Sequence, residues 1–426
     1  MRSASRLVFR LAFVASVCFA LVGSCATAFG QRERVVHRFT SVPDGSQTFA
    51  YLIPDNAGNL YGTTSQGGTA NAGTVFELTP DGEDGWAETV LYSFQTSSDG
   101  NFPYGAVVFD GAGNLYGTTM YGGSTGYGTV YELTPAAGGG WTETVIHNFG
   151  DTGDGQYPQG ALAIDAAGNL YGTTFAGGAH MKCDSSGDSC GTVFEISPSG
   201  SGWTESVLYS FGAHGDGHFP ISAVTLDSSG NLYGTTMAGG RNKLGTVWQL
   251  SPSSRGWQET ILHHFSNKGD GASPESDITL DDKGNLYGTT QSTVFQLAQR
   301  DETWELHTLH TFRGHSDGLI PSRRVVVGAF GNVYGSTEGG GSADCGGSGC
   351  GVIFRLSPES GHVWIENILR RLDGGADGVN AYPGLTMTPT GNLLGTTLYG
   401  GDNTSCSEGC GIVYELEGRS SGLRSK

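Results

Sequence analysis

Eight cysteines, eleven histidines and a recurring Asp-Gly pair are the parts of this 426-residue chain that could do chemistry. Cys18 and Cys25 lie in an apolar N-terminal stretch. The other six form local pairs, Cys183/Cys190, Cys345/Cys350 and Cys406/Cys410, and each second cysteine is followed at once by glycine. An even count, close pairing and export together predict three loop-stapling disulfides. Loops this short gain little chain entropy on closure, so the bridges would serve local rigidity and protease resistance. A four-thiolate zinc site from Cys345, Cys350, Cys406 and Cys410 is the rival, and it leaves Cys183 and Cys190 unexplained.

The Asp-Gly pair begins at Asp44, Asp99, Asp154, Asp216, Asp270, Asp317 and Asp377. A ring of such carboxylates at a channel mouth would bind Ca²⁺ or a cationic ligand. An aspartate that caps its own turn, followed by a glycine supplying positive φ, needs no ligand. Recurrence in every copy favours the turn. Histidines near the pairs, such as His214 and His218 around Asp216, read as solvated loop residues. His263 and His264 would point to opposite faces of a strand and cannot share a metal. No H-E-x-x-H helix or Walker loop appears. The residues assign no catalytic group, no metal and no cofactor; paired carboxylates for glycoside chemistry would not show in sequence.

These residues hang on a repeat. Gly-Asn-Leu-Tyr-Gly-Thr-Thr begins at Gly58, Gly113, Gly168, Gly230 and Gly284, with variants at Gly331 and Gly391. A Gly-Thr-Val-Phe-Glu-Leu run follows at Gly73, with relatives at Gly128, Gly191, Gly245, Ser292, Gly351 and Gly411. Then Trp86, Trp141, Trp203, Trp257, Trp304 and Trp364 each open a β-branched and aromatic run. The step is about 55 residues, at the upper end of blade periods. Each unit reads as four strands, a to d; in the second they are 106–110, 114–119, 129–134 and 141–149. The Gly-Asn step turns the a–b hairpin, and no sustained 3.6-residue period appears, so helices should be scarce. The seventh a-b-c set ends at Leu416 with no Trp-led strand after it, while residues 35–39 resemble 145–149. The expected fold is therefore all-β: a seven-bladed β-propeller of four-stranded antiparallel blades over 35–416, closed by the N-terminal strand pairing with the last blade. An open solenoid, which wants polar caps, is the alternative. Small residues at Gly105-Ala106, Gly160-Ala161, Ser222-Ala223 and Gly384 would make room at the axis. Tyr61, Phe76, Trp86 and their equivalents read as packing between blades rather than a stacking platform.

With 72 glycines and 15% charged residues the chain is no helical bundle, and 37% hydrophobic residues exclude a disordered polyelectrolyte. A net charge of -19 makes nucleic acid and anionic lipid poor partners. Arg2, Arg6 and Arg10 precede an apolar stretch, so residues 1–28 read as a signal peptide. Ala26-Thr27-Ala28 fits a cleavage site; residues 22–25 also fit a lipobox ending at Cys25. Soluble secretion, to the medium or periplasm, is preferred over a lipid anchor at the envelope. The tail 417–426 is short and polar, and the protein is expected to be a monomer.

The GNLYGTT, GTVFEL, W-x-E and DG unit resembles the Gloeo-Verruco (GloVer) repeat of exported bacterial proteins grouped as choice-of-anchor tandem repeat proteins. The resemblance covers about 35–416 and implies surface or extracellular placement by varied anchors. It brings no catalytic residue set. The basic tail has no sorting segment, so any anchor would be the lipid on Cys25.

Loops joining d to a and b to c share one face of a propeller, and the b–c loops vary in length, from 177–190 to the nearly absent 291–292. Variable loops on a rigid scaffold are where ligands are read. The expected function is a non-catalytic binding module for a carbohydrate, cell-wall or protein ligand on that face. Alternatives are a secreted polysaccharide lyase or hydrolase, or a purely structural surface protein. Polar residues that no other blade matches are the ligand-binding candidates: His180, Lys182, His214, His218, Glu275, Arg323 and Arg324. Arg323 and Arg324 replace the small axial residues. Arg323 projecting into the channel would suit an anionic ligand such as a uronate; a salt bridge to a neighbouring blade's acid is the competing expectation.

Overall fold

The computed structural model describes residues 31–418, except 83, 84, 96, 97, 151, 152, 181, 184–188, 214, 302, 342–344 and 402–404. The expected signal segment, Cys25, His214 and residues 419–426 lie outside the described residues.

Blade 2 shows the unit. Val108–Phe109, Leu115–Thr119, Thr129–Pro135 and Trp141–Asn148 pair in chain order as strands a, b, c and d, all antiparallel. Six more sheets repeat this order, so the protein is a seven-bladed β-propeller. The last blade takes a, b and c from Leu385–Met387, Leu393–Thr396 and Ile412–Leu416, and its outer strand from Glu33–Arg38. There Glu33 faces Leu416 and Arg38 faces Ile412. Phe39 and Val36 then enter a core with Phe76 and Leu78 of blade 1. Among the described residues there is no α-helix, only the short 3-10 turns Ala329–Gly331, Ser360–His362 and Gly375–Asp377.

The repeated motif is explained residue by residue in blade 1. Leu60 enters the core, 1% exposed. The Tyr61 hydroxyl donates to Glu77 Oε1 at 2.7 Å on strand c. Gly62 has no side chain because a Cβ there would sit 2.6 Å from the Phe76 ring. Thr63 Oγ1 donates to the Gly105 carbonyl of the next blade at 3.1 Å. Thr64 shares a hydrogen with Thr74 of its own strand c at 2.8 Å. The bond from the first threonine recurs around the ring, through Thr118, Thr173, Thr235, Thr289 and Ser336, to Thr396, which donates to Ala50 of blade 1. This axial belt also explains why strand a is shorter than its sequence pattern. The Gly105 carbonyl belongs to the neighbouring blade's threonine, and only Val108 and Phe109 pair with strand b.

A second layer was not visible in the repeat. After six of the Asp-Gly pairs the chain folds back along the end of strand b, as in Ser46 opposite Gln66, Asn101 opposite Tyr121, and Gly155–Pro158 against Leu170–Gly177. Blades 4, 6 and 7 do the same. This raises a rim on six blades. Blade 5, whose b–c connection is only 291–292, keeps a single backbone bond there, from Gln291 N–H to the Ala272 carbonyl at 3.2 Å, and forms no β-bridge among the described residues, so the rim is notched.

The cysteines form three disulfides, Cys183–Cys190, Cys345–Cys350 and Cys406–Cys410, with Cα atoms 5.1–5.4 Å apart. Internal pairing leaves no thiolates for the zinc alternative. The carbonyls of Cys190, Cys350 and Cys410 accept the backbone N–H of Phe219, Asn380 and Gln47. Each bridge thus fixes an acceptor that the next blade uses.

Candidate functional site

Two polar systems compete for attention, and their repetition separates them. The first is the Asp-Gly series. Each aspartate accepts the backbone N–H four residues earlier, from Thr40 to Asp44 at 2.9 Å through Asp373 to Asp377 at 3.2 Å. Each also takes a side-chain donor seven residues earlier: His37, Tyr92, His147, Tyr209, His263, His310 and Arg370. This is turn chemistry, as the recurrence implied. The glycine has a different reason from the one expected. Only Gly100, Gly271, Gly318 and Gly378 have positive φ. A Cβ at any of the seven glycines would collide with a strand-b threonine, such as Thr64 for Gly45 or Thr174 for Gly155.

A glutamate of the following blade's strand d joins six of these aspartates: Glu88, Glu143, Glu205, Glu259, Glu366 and Glu33. Burial first, and a neighbouring aspartate besides, push Glu88, Glu143 and Glu205 up to about 7 and Glu259 and Glu366 up to about 8. Glu33 also reaches about 7, through burial against the opposing pull of Arg370. Blade 5 carries Leu306 at this position. Asp270, left without the second carboxyl, is held below the usual carboxylate range: burial opposes this, but His263, Ser266 and backbone donors outweigh it. His147, Asp154 and Glu205, and likewise His310, Asp317 and Glu366, bring donor atoms within 4.8 Å of one another. Tyrosine or arginine replaces the histidine at three junctions, so the shared role of the position is to donate to aspartate rather than to ligate a metal.

The second system is unmatched. The notch at blade 5 opens a pocket of about 310 Å³ on the face of the b–c and d–a loops. Thr289, Thr290 and Gln291 form its blade 5 wall, and Glu275, Arg323, Glu338 and Tyr382 converge from blades 5, 6 and 7. Arg323 Nε donates to the Tyr382 hydroxyl at 2.5 Å, and that hydroxyl donates to Glu275 Oε2 at 3.2 Å. Arg323 Nη2 lies 3.7 Å from the same carboxylate, its side chain 15% exposed and that of Glu275 28%. Burial pushes Tyr382 up to about 12. Burial first and Glu275 second push Glu338 up to about 7, against the pull of Arg323.

Beneath the pocket the axis is closed by a second unmatched set. The axial position is held by Ala106, Ala161 and Ala223 in blades 2 to 4. Asp277, Arg324, Gly384 and Tyr51 hold it in blades 5, 6, 7 and 1. Arg324 reaches across blade 7 to lie 3.9 Å from the Tyr51 ring centroid. Gly384 permits this, since a Cβ there would sit 2.7 Å from Arg324. Asp277 accepts from Ala223 N at 2.8 Å. Burial raises its pKa while Arg324 lowers it.

The structure therefore brings together Glu275 and Arg323 at the pocket, with Arg324 just below. Arg323 meets the acid of a neighbouring blade, so it presents a compensated charge rather than an open anion trap. His180 and Lys182 are exposed on the blade 3 loop beside the Cys183–Cys190 bridge and do not line the pocket. His218 pairs within the blade 4 rim, edge-on to Phe219 at 4.6 Å, and does not line it either. Glu338 and Tyr382 escaped the sequence reading, although Glu338 stands where other blades carry no charge.

These features define a closed seven-bladed propeller with one irregular polar mouth. The chain belongs to the Gloeobacter/Verrucomicrobia repeat family, whose model matches residues 25–185 and 142–348. No curated protein matches it. The extracellular domain of a candidate one-component system from Bacteroides thetaiotaomicron is similar at TM-score 0.55 and 10% identity, over 91% of this chain and 40% of that one. A candidate 6-phosphogluconolactonase from Bacteroides uniformis is similar at TM-score 0.50 and 15% identity, over 77% and 86%. Likeness at this level speaks to the fold alone.

Proposed function

We propose that this protein is an exported, non-catalytic binding propeller that holds a saccharide at its channel mouth. The observation that carries the reading is the meeting of Glu275, Arg323, Glu338 and Tyr382 in a notch that no other blade reproduces. Structural needs recur in every blade, and this group does not. A sugar hydroxyl both donates and accepts, and the pocket offers acceptors in Glu275 and Glu338 beside donors in Arg323, Gln291 and two threonines. Its volume of about 310 Å³ sits at the small end of ligand sites and suits one or two sugar rings. Three disulfides support an oxidising, extracytoplasmic setting. The test is Arg323→Ala on a glycan array, with near-UV circular dichroism as the fold control. At least a tenfold loss of glycan signal is expected; intact binding would remove the pocket from the reading.

One observation favours a second reading, a hydrolase or lyase at the same pocket. The Glu338 carboxyl, up to about 7, is poised to exchange a proton near neutral pH. In that case Glu338→Gln abolishes release of products from a polysaccharide while leaving binding intact. In the binding-module reading the wild type releases none.

A further inference from the structure

The core aromatics of the blades are sealed: Phe76, Phe94, Phe149 and Phe194 are 0% exposed. A different set lies on the loops of the pocket face, and none of it is buried. Its first member is Tyr382, in the pocket wall. Phe49 of blade 1 meets Tyr382 edge-on at 5.9 Å and Tyr104 of blade 2 at 4.4 Å. Tyr104 is close enough to Tyr121 for the second phenol to hinder its ionisation, after burial, which is the larger cause; Arg323 acts on it in the opposite direction. Tyr121 meets Tyr157 of blade 3 at 5.5 Å, and Tyr157 meets Tyr127 at 5.5 Å. Ring contacts therefore run from the pocket to Tyr104 across blades 7, 1 and 2, and again from Tyr121 through Tyr157 to Tyr127 across blades 2 and 3; the outer members Tyr121 and Tyr127 are 39% and 36% exposed.

Backbone geometry argues that the rings are there for more than filling. Tyr157 has φ of 59°, in the left-handed region that bulky residues avoid. The same position carries Gln47, Ser273 and Asn380 in blades 1, 5 and 7, and Phe102, Phe219 and Ile320 in blades 2, 4 and 6, all at positive φ. Polar residues thus satisfy the turn in three blades, while Tyr157 and Phe102 keep rings there against a strained backbone, both edge-on to Tyr121. Phe219, the blade 4 counterpart, turns inward onto Phe175 and is 6% exposed, which is packing. The ring of Tyr157 stays at the surface.

We propose that the channel-mouth pocket is the terminal subsite of a longer track, in which the rings from Tyr382 through Tyr104 and Tyr121 to Tyr127 carry the successive units of a neutral oligosaccharide chain. This rests on the saccharide reading of the pocket and adds the ligand's length and charge class. Tyrosine faces accept the C–H faces of sugar rings while the hydroxyl tips bond in water. Ring spacings of 4.4–5.9 Å are about the size of one sugar unit. A net charge of -19 disfavours a polyanionic chain.

Titration calorimetry tests this with glucose, xylose and N-acetylglucosamine and with cello-, malto-, xylo- and chito-oligomers of up to six units. The variants are Tyr121→Ala, Tyr157→Asn and Arg323→Ala. Asparagine tolerates the left-handed backbone, so Tyr157→Asn removes the ring without threatening the fold, and its melting temperature should be unchanged or higher. Wild type should bind one hexamer at least tenfold more tightly than its monomer. Tyr121→Ala and Tyr157→Asn should erase that gain and leave the monomer's affinity unchanged, whereas Arg323→Ala weakens both. Equal affinity for monomer and hexamer, or tyrosine variants that bind the hexamer normally, would overturn the track and leave the pocket reading standing. Failure of every sugar in the panel to bind sinks both.

Discussion

At the junction of blades 2 and 3, His147, Asp154 and Glu205 repeat with one substitution what Tyr92, Asp99 and Glu143 do one blade earlier. At the channel mouth no other blade repeats Arg323 or Glu338. Both regions hold partly desolvated carboxyls with raised pKa values, so titration behaviour alone would rank them together. Repetition divides them. A residue that every blade needs is explained by the blade, as the Asp-Gly turns are by their hydrogen bonds and by the threonine under the glycine. A residue that one blade carries, at the notch where the rim is missing, has no such explanation. In a repeat protein the identical neighbours are internal controls, and Leu306 is one of them. Where it replaces the glutamate, the adjacent Asp270 is held below the usual carboxylate range by His263, Ser266 and backbone donors, against burial.

The comparison breaks most completely if the ring is opened. Deleting residues 31–39 removes the outer strand of blade 7 and takes Val36 and Phe39 from a core shared with blade 1. It also leaves Ile412–Leu416 as an unpaired edge. The shortened protein should lose its cooperative thermal transition in scanning calorimetry and aggregate. A sharp transition near that of the full chain would mean that closure by this strand does not hold the propeller together.

The ring was legible because it is written in the period: seven motif copies, six Trp-led strands and one stray segment at 35–39. The three disulfides were legible from spacing. So was the oddity of Arg323 and Arg324, since a blade-by-blade alignment shows where small residues give way. The rest depended on distances that no local pattern encodes. Tyr382 bonds Glu275 across 107 residues, and the rings at Tyr382, Phe49 and Tyr104 meet only because blades 7, 1 and 2 are neighbours in a circle. The junction glutamates are an intermediate case. Trp86-Ala-Glu88, Trp141-Thr-Glu143, Trp203-Thr-Glu205 and Trp257-Gln-Glu259 show the signal plainly. What the sequence lacked was the knowledge that strand d of one blade lies beside the Asp-Gly turn of the one before it.

A smaller perturbation probes the axis below the pocket. Arg324 offsets the charge of Asp277 and covers Tyr51. Arg324→Ala should cost about 2 kcal/mol at pH 7, because it leaves an acidic group enclosed without its partner. The cost should shrink as pH falls, because the Asp277 carboxyl, whose pKa burial raises, then takes up a proton. Adding Asp277→Asn should recover most of the loss, a coupling that urea titrations of the two single variants and the double variant would measure. Additive losses would show that the two side chains do not act as a pair.

The finest test compares one junction with the natural exception at Leu306. Glu143 ionises near 4.5 in the unfolded chain and near 7 in the folded one. Below pH 4.5 both states hold the proton and the junction contributes no pH dependence. Between 4.5 and 7 the folded state keeps a proton that the unfolded state has released, so stability falls as pH rises. Above 7 the glutamate is ionised beside Asp99 and the loss is complete. Solvent screening at this half-buried site limits the loss to about 1 kcal/mol. Glu143→Gln, which cannot ionise, should match the wild type at pH 4.5 and exceed it by about that amount at pH 8. Wild-type stability measured by urea unfolding should decline across the same window. A flat or rising profile would mean that Glu143 is already ionised in the fold, and the junction would then rest on the hydrogen bonds that Tyr92 and the Gln95 backbone donate to Asp99.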